Sequence, residues 1–128
     1  MNKLIIDAAN EKIFLMIITN ASIYNITHDN TKINYEKLTI IINDFLLSKN
    51  LKIADIGIIY INIGLASFAG IRNSMSVVKA FNVAKNIDYY CYNLHDFKDE
   101  KNLSYERIPD LCKKYKIKKN LINPIYIS

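Results

Sequence analysis

Apolar residues fall along this chain in three short runs, then at helical spacing, then in a long β-branched run, and that succession predicts a mixed α/β domain. The runs Leu4–Ala8, Lys12–Thr19 and Ser22–Thr27 are separated only by Ala9-Asn10-Glu11 and Asn20-Ala21. Asn tolerates the positive φ of tight hairpin turns, so an antiparallel three-strand meander is expected. Polar residues His28 to Thr31 read as a loop, and Asn34 as the N-cap of a helix from Tyr35 to about Ser48. Leu38, Ile41, Ile42, Phe45 and Leu46 then share one helical stripe, which Asn50 closes.

The β-branched run Ile56–Ile63 predicts a buried strand. It leads through Gly64-Leu65-Ala66-Ser67-Phe68-Ala69-Gly70-Ile71-Arg72 into a helix from about Ile71 to Lys85. Ile71, Met75 and Val78 form one stripe of that helix, and Val77, Ala80, Phe81 and Ala84 a second, so cover on two sides is expected. A strand over Ile87–Tyr92 follows. The order is β-β-β-α-β-α-β. After Asn93 the chain turns polar, with a helix over about Ser104 to Lys116, a start that Pro109 pushes later, and an extended end around Pro124 to Ile127.

The small-residue loop allows two readings. Glycines at 64 and 70 open backbone conformations closed to other residues, and a helix beginning after such a loop offers free N–H groups to an anion. A Gly-rich turn is equally how an ordinary strand is wired to a helix. Ser67 is read as a cap or loop support rather than a nucleophile, because Ala66-Ser67-Phe68 departs from G-x-S-x-G. Arg72, one of two arginines, sits in a first helical turn where the dipole does not favour it; a specific anion contact and an internal salt bridge both account for it.

Length and composition narrow the class. With 128 residues, 51% of them hydrophobic, one domain with a real core is expected. No apolar run reaches the roughly 18 residues of a membrane span, and Asp7 and Glu11 interrupt any leader-like segment, so the chain is expected to be cytoplasmic and not membrane-bound. Ile, Asn, Lys and Tyr make up half of the sequence, a bias expected of an AT-rich genome, which a reduced bacterial genome would suit. Cys91 and Cys112 lack metal-ligand spacing, and His28 and His95 form no metal pair; no metal site is expected.

The net charge of +5 comes from one place. Lys113, Lys114, Lys116, Lys118 and Lys119 supply the excess, while the other basic residues balance the acidic ones. Such a cluster suits an RNA backbone, and lysines are also what a helix C-terminus favours.

The loop residues Gly64, Ser67, Phe68, Gly70 and Arg72, with Lys79 in the following helix, resemble the G-P-G-S-F-T-G-L-R signature of the TsaB (YeaZ) family, partner proteins in tRNA threonylcarbamoyladenosine synthesis. Leu4-Ile5-Ile6-Asp7-Ala8-Ala9 is similar to that family's opening strand and Asn123-Pro124-Ile125-Tyr126-Ile127 to its C-terminal P-x-Y-[LI]-R. Leu65, Ala66 and Ala69 replace the usual Pro, Gly and Thr, Ala8 replaces a Thr, and Ser128 stands where an Arg would be.

The resemblance implies a ribonuclease H-like lobe of the actin, hexokinase and sugar-kinase superfamily, the lobe of TsaD also. Residues 1–96 would form this lobe, and residues 97–128 a shortened remnant of a second one within a single domain. Active relatives place a nucleotide and metal against a first-strand aspartate and glycine turns, which makes Asp7, Gly64, Ser67 and Gly70 the candidates here. Asp7 lacks a neighbouring hydroxyl or glycine turn, and satisfaction by nearby backbone N–H groups is the competing account. The chain is therefore expected to be a non-catalytic subunit with no cofactor of its own, ATP and metal residing on TsaD and TsaE. Its implied surface for TsaD is Tyr35, Leu38, Ile42, Arg72, Met75, Ser76 and Lys79, which could also serve a homodimer. The alternatives are an RNA-binding module built on Lys113 to Lys119, and a residual small-molecule kinase dependent on Asp7.

Overall fold

The computed structural model describes residues 1–64 and 69–121. Five strands form one sheet: β1 (Asn2–Asp7), β2 (Lys12–Ile18), β3 (Ile23–Asp29), β4 (Ile56–Asn62) and β5 (Asp88–Tyr92). Their spatial order is β3-β2-β1-β4-β5. β1, β2 and β3 form the expected antiparallel meander, and β4 and β5 add in parallel to β1. Ser67 and the expected extended end at Pro124–Ile127 lie outside the described residues.

β3 and the first helix depart from the sequence expectation. β3 runs on through His28 and Asp29, because the antiparallel ladder with β2 continues to the Lys12↔Asp29 pair. Lys12 and Asp29 close that end with an ion pair. The first helical segment begins earlier than Tyr35: α1 spans Lys32–Glu36, capped by Thr31, whose hydroxyl accepts from Asn34 N–H. Asn34 is thus inside the helix rather than its cap, and its side chain donates to the Asp29 carbonyl at 2.8 Å. At Lys37 the backbone leaves helical geometry (φ −101, ψ 18) before α2 (Leu38–Ser48). Asn50 does close α2, in the left-handed region at φ 60, with Leu51 N–H bonded to the Leu46 carbonyl, a Schellman arrangement.

Alternation along the strands sends residues to two separate cores. On the first face, Leu4, Ile6, Leu15, Ile17, Ile59 and Ile61 meet α2 and α3 (Ala69–Lys85). α3 buries Ile71, Ser74, Val78 and Phe81, but Ala80 and Ala84 are exposed. The expected second stripe is only partly covered, since one sheet face covers one side of a helix.

The second face carries Ile5, Met16, Ile58, Tyr60 and Tyr92, and residues after β5 close over it. A 3₁₀ turn at Leu94–Phe97 seats the fully buried Phe97, and α4 (Ile108–Lys114) buries Ile108, Leu111 and Cys112. The polar stretch after Asn93 therefore forms the second layer of the same sheet. Pro109 sits in the first turn of α4, where its missing N–H costs nothing. Cys91 and Cys112 belong to opposite cores, and burial pushes each thiol up to about 12. The sheet between them keeps them apart.

Candidate functional site

The parallel register brings the ends of β1, β4 and β5 together, with Asp7 opposite Asn62 and Asn62 opposite Tyr92. The antiparallel register sets Phe14 on the other side of Asp7. A row Phe14, Asp7, Asn62, Tyr92 thus crosses four strands. These residues share the parity of Ile5, Met16, Tyr60 and Tyr90, so they face α4.

Asp7 is the centre of this row. It is 3% exposed and accepts from three groups: Tyr105 hydroxyl at 2.8 Å, Asn62 Nδ2 at 3.1 Å and Ala9 N–H at 2.9 Å. Among the described residues Ala9 is the one backbone donor of those expected from sequence; the other two donors are side chains from β4 and from the turn before α4. Asn62 also accepts from Gly64 N–H at 2.8 Å through Oδ1. Its amide therefore links the aspartate to the glycine loop. Tyr105 stacks on Phe14 with ring centroids 3.9 Å apart. Burial, and then the charge of Asp7, raise the Tyr105 phenol above its ordinary value, so it remains a protonated donor. Tyr92 is raised likewise, by burial first.

The glycines act differently from one another. Gly64 has φ +29, a backbone region in which a side chain would be strained. Gly70 lies within α3, and its constraint is contact: a Cβ there would stand 2.9 Å from Asn30 Oδ1 and 3.0 Å from the Ala8 carbonyl. It lets α3 approach the end of β1. Asn30 in turn bonds the Ala8 and Asn10 carbonyls at 2.8 and 2.7 Å, fixing the β1–β2 turn.

Among the described residues no cluster of three or more His, Cys, Asp or Glu side chains could hold a metal. His28 lies on the edge strand β3 and His95 in the turn after β5, far from each other in the sheet order. No described helix is long and apolar enough to cross a membrane.

The expected partner surface divides in two. Arg72, Ser76 and Lys79 are exposed along the outward side of α3. Lys79 Nζ also reaches the Tyr89 hydroxyl at 3.4 Å. Leu38 and Ile42, by contrast, are 0% exposed against the sheet and offer nothing to a partner, because they hold α2 to its own core. Tyr35 and Met75 are half-buried and pack on that core. The outward large apolar residues of α2 are Ile40 and Leu47, 57% and 59% exposed, and α3 adds Val83 at 78%. Spacing of seven residues between Ile40 and Leu47 marked a second face of α2; the stronger core stripe concealed it.

The lysine cluster is also divided. Lys114 pairs with Glu100 at 2.6 Å and Lys119 with Asp88 at 3.3 Å. Lys113, Lys116 and Lys118 are exposed and form no ion pair among the described residues. Lys116 stands at φ 56 and ends α4, so the five do not lie along one helix.

A mixed five-stranded sheet of this order, with α2 and α3 on one face and α4 on the other, places the chain in the ribonuclease H-like fold class. Within that class it is similar to YeaZ from Pseudomonas aeruginosa, at a TM-score of 0.65 and 15% identity over 72% of this chain and 43% of that one. An uncharacterised protein with similarity to peptidase YeaZ from the same organism gives 0.66 and 14%, over 79% and 49%. RuvC from Thermus thermophilus, solved in complex with a Holliday junction substrate, gives 0.53 and 8%, over 97% and 84%. The chain thus spans less than half of either YeaZ-type structure. No family profile matches the sequence, and no curated protein matches it significantly.

Proposed function

We propose that this chain is a TsaB-like, non-catalytic subunit that binds a TsaD-type protein and thereby supports threonylcarbamoyl transfer to tRNA adenosine. The observation that carries this reading is the outer surface of the helix layer. α2 presents Ile40 and Leu47 outward, and the neighbouring α3 presents Val83 on the same helical stripe as the exposed small residues Ser76 and Ala80. Apolar anchors next to small residues let a second helix pair approach closely and bury water-exposed hydrocarbon. The arrangement at Asp7 supports the same reading: Oδ2 accepts from both Tyr105 and Asn62 and Oδ1 from Ala9, which leaves at most one oxygen open, too few for a phosphate-bound metal. On this reading ATP and metal reside on the TsaD and TsaE partners.

The test is co-purification with TsaD from the same genome, comparing wild type with Ile40→Asp and Val83→Asp. Both positions are exposed, so stability should change by no more than about 0.5 kcal/mol. Retention of TsaD by wild type and its loss from the folded variants is the expected result. Failure of wild type to retain TsaD overturns the proposal. Light scattering on the isolated chain shows whether a homodimer uses the same face.

One observation favours a second reading. Lys113, Lys116 and Lys118 carry charge that no described acidic residue neutralises, and a tRNA backbone would supply the counter-charge. Binding to tRNA that weakens steeply with salt and is lost when the three are changed to Ser identifies it.

A further inference from the structure

Asp7 also borders a cavity away from the outer surface of α2 and α3. It is an open cleft of about 220 Å³ between the ends of β1 and β5 and the segment leading into α4. Asp7, Tyr92 and Ser104 contribute polar lining, and Leu94, Leu103 and Ile108 the apolar walls.

Two independent observations define what such a space would take. Asp7 is the one ionisable side chain in the buried polar set of the described residues. It has three neutral donors and no ion pair among the described residues. Hydrogen bonds support a buried carboxylate, but an opposite charge compensates its desolvation further. The second observation is Tyr92, 1% exposed, whose hydroxyl is buried without a hydrogen-bond partner among the described residues. An unmet buried hydroxyl is costly and calls for an occupant with a polar group at that point.

We propose that this cavity binds a compact primary amine with an apolar body, its ammonium group toward Asp7 and Tyr92 and its hydrocarbon against Leu94, Leu103 and Ile108. An ammonium brings three donors and no acceptor. Among the described residues Asp7 Oδ1 accepts one bond, from Ala9 N–H, and retains a lone pair, and the Tyr92 oxygen can accept a hydrogen bond. Anionic ligands are disfavoured by Asp7. The volume is below the roughly 300–1,000 Å³ of sites for drug-sized ligands, which limits the occupant to a small molecule.

The test is an NMR titration of the folded chain at neutral pH with isopentylamine, the neutral isostere 3-methylbutan-1-ol, and magnesium chloride. Isopentylamine should give saturable amide shifts at Leu94, Leu103 and Tyr105, with the alcohol at least tenfold weaker. Asp7→Asn should weaken the amine at least tenfold. Because that change touches a packed cluster, Leu103→Trp provides a second variant: Leu103 is 40% exposed, and the larger side chain should fill the cavity and abolish the shifts in a folded protein. Equal binding of the alcohol, amine shifts that persist in Leu103→Trp, or the same shifts with magnesium would each overturn the proposal. So would the absence of a saturable shift, which would leave the Tyr92 hydroxyl to a trapped water.

Discussion

The Tyr105 hydroxyl donates to Asp7 Oδ2 at 2.8 Å, joining two residues 98 positions apart in the chain. This bond ties the segment before α4 to the end of the central strand β1. Tyr105→Phe keeps the ring stacked on Phe14 and removes only the donor. A hydrogen bond to a charged group contributes about 1.5–3 kcal/mol, and a loss of that size is expected. Urea unfolding checks it: the midpoint should fall while the m-value stays unchanged.

Gly70→Ala sets two effects against each other. Alanine favours a helix over glycine by about 1 kcal/mol, whereas overpacking costs about 1–3 kcal/mol. The added Cβ would meet the Ala8 carbonyl at 3.0 Å, and a backbone atom of the β1–β2 turn cannot step aside as a side-chain tip can. Net destabilisation is expected, and thermal unfolding measures it. A stabilised variant would show that α3 can shift away from the β1–β2 turn.

Glu100 gathers Lys114, Tyr115 and Arg107 around one carboxylate, each at 2.6 Å. These bonds, that of Lys114 first, hold its carboxyl at about 2, below the ordinary 4.5. A lowered folded-state value means the contribution is present above about 4.5 and disappears as pH falls toward about 2. Glu100→Gln should therefore be less stable than wild type near neutrality, and the difference should shrink over that acid range. Parallel pH series of chemical denaturation test the sign, and added salt should narrow the gap at neutral pH.

Asn120 protects the outer edge of β5. Its Oδ1 accepts from Tyr89 N–H at 2.9 Å, its own N–H donates to the Tyr89 carbonyl at 2.7 Å, and its Nδ2 reaches Asp88 at 2.9 Å. An edge strand with unpaired backbone groups invites pairing with another chain. Asn120→Gly retains freedom at φ 59 and deletes the side-chain bonds, at a cost of about 1 kcal/mol each. Faster hydrogen exchange at the Tyr89 amide is the expected signature.

The sequence by itself determined the elements of this fold and much of their order. Runs such as Leu4–Ala8 and Ile56–Ile63, and the stripe of Leu38, Ile42, Phe45 and Leu46, carry periodicities that backbone geometry converts directly into strands and a helix. Asp7 and Gly64 were also legible, since a charge ending an apolar run and a glycine following one are local signals. What the sequence left open was which side each element presents to which neighbour. Leu38 and Ile42 suit a partner helix or the sheet equally well by spacing; only the packed sheet decides that they face inward and that Ile40 and Leu47 face out. Nothing near Tyr105 or Asn120 marks either as a partner of a distant strand. The row from Phe14 through Asp7 and Asn62 to Tyr92, and its cover by α4, exist only because parallel and antiparallel registers align four separate strand ends. Periodicity is a property of neighbours along the chain, whereas register and layer are settled by the burial of both faces of one sheet.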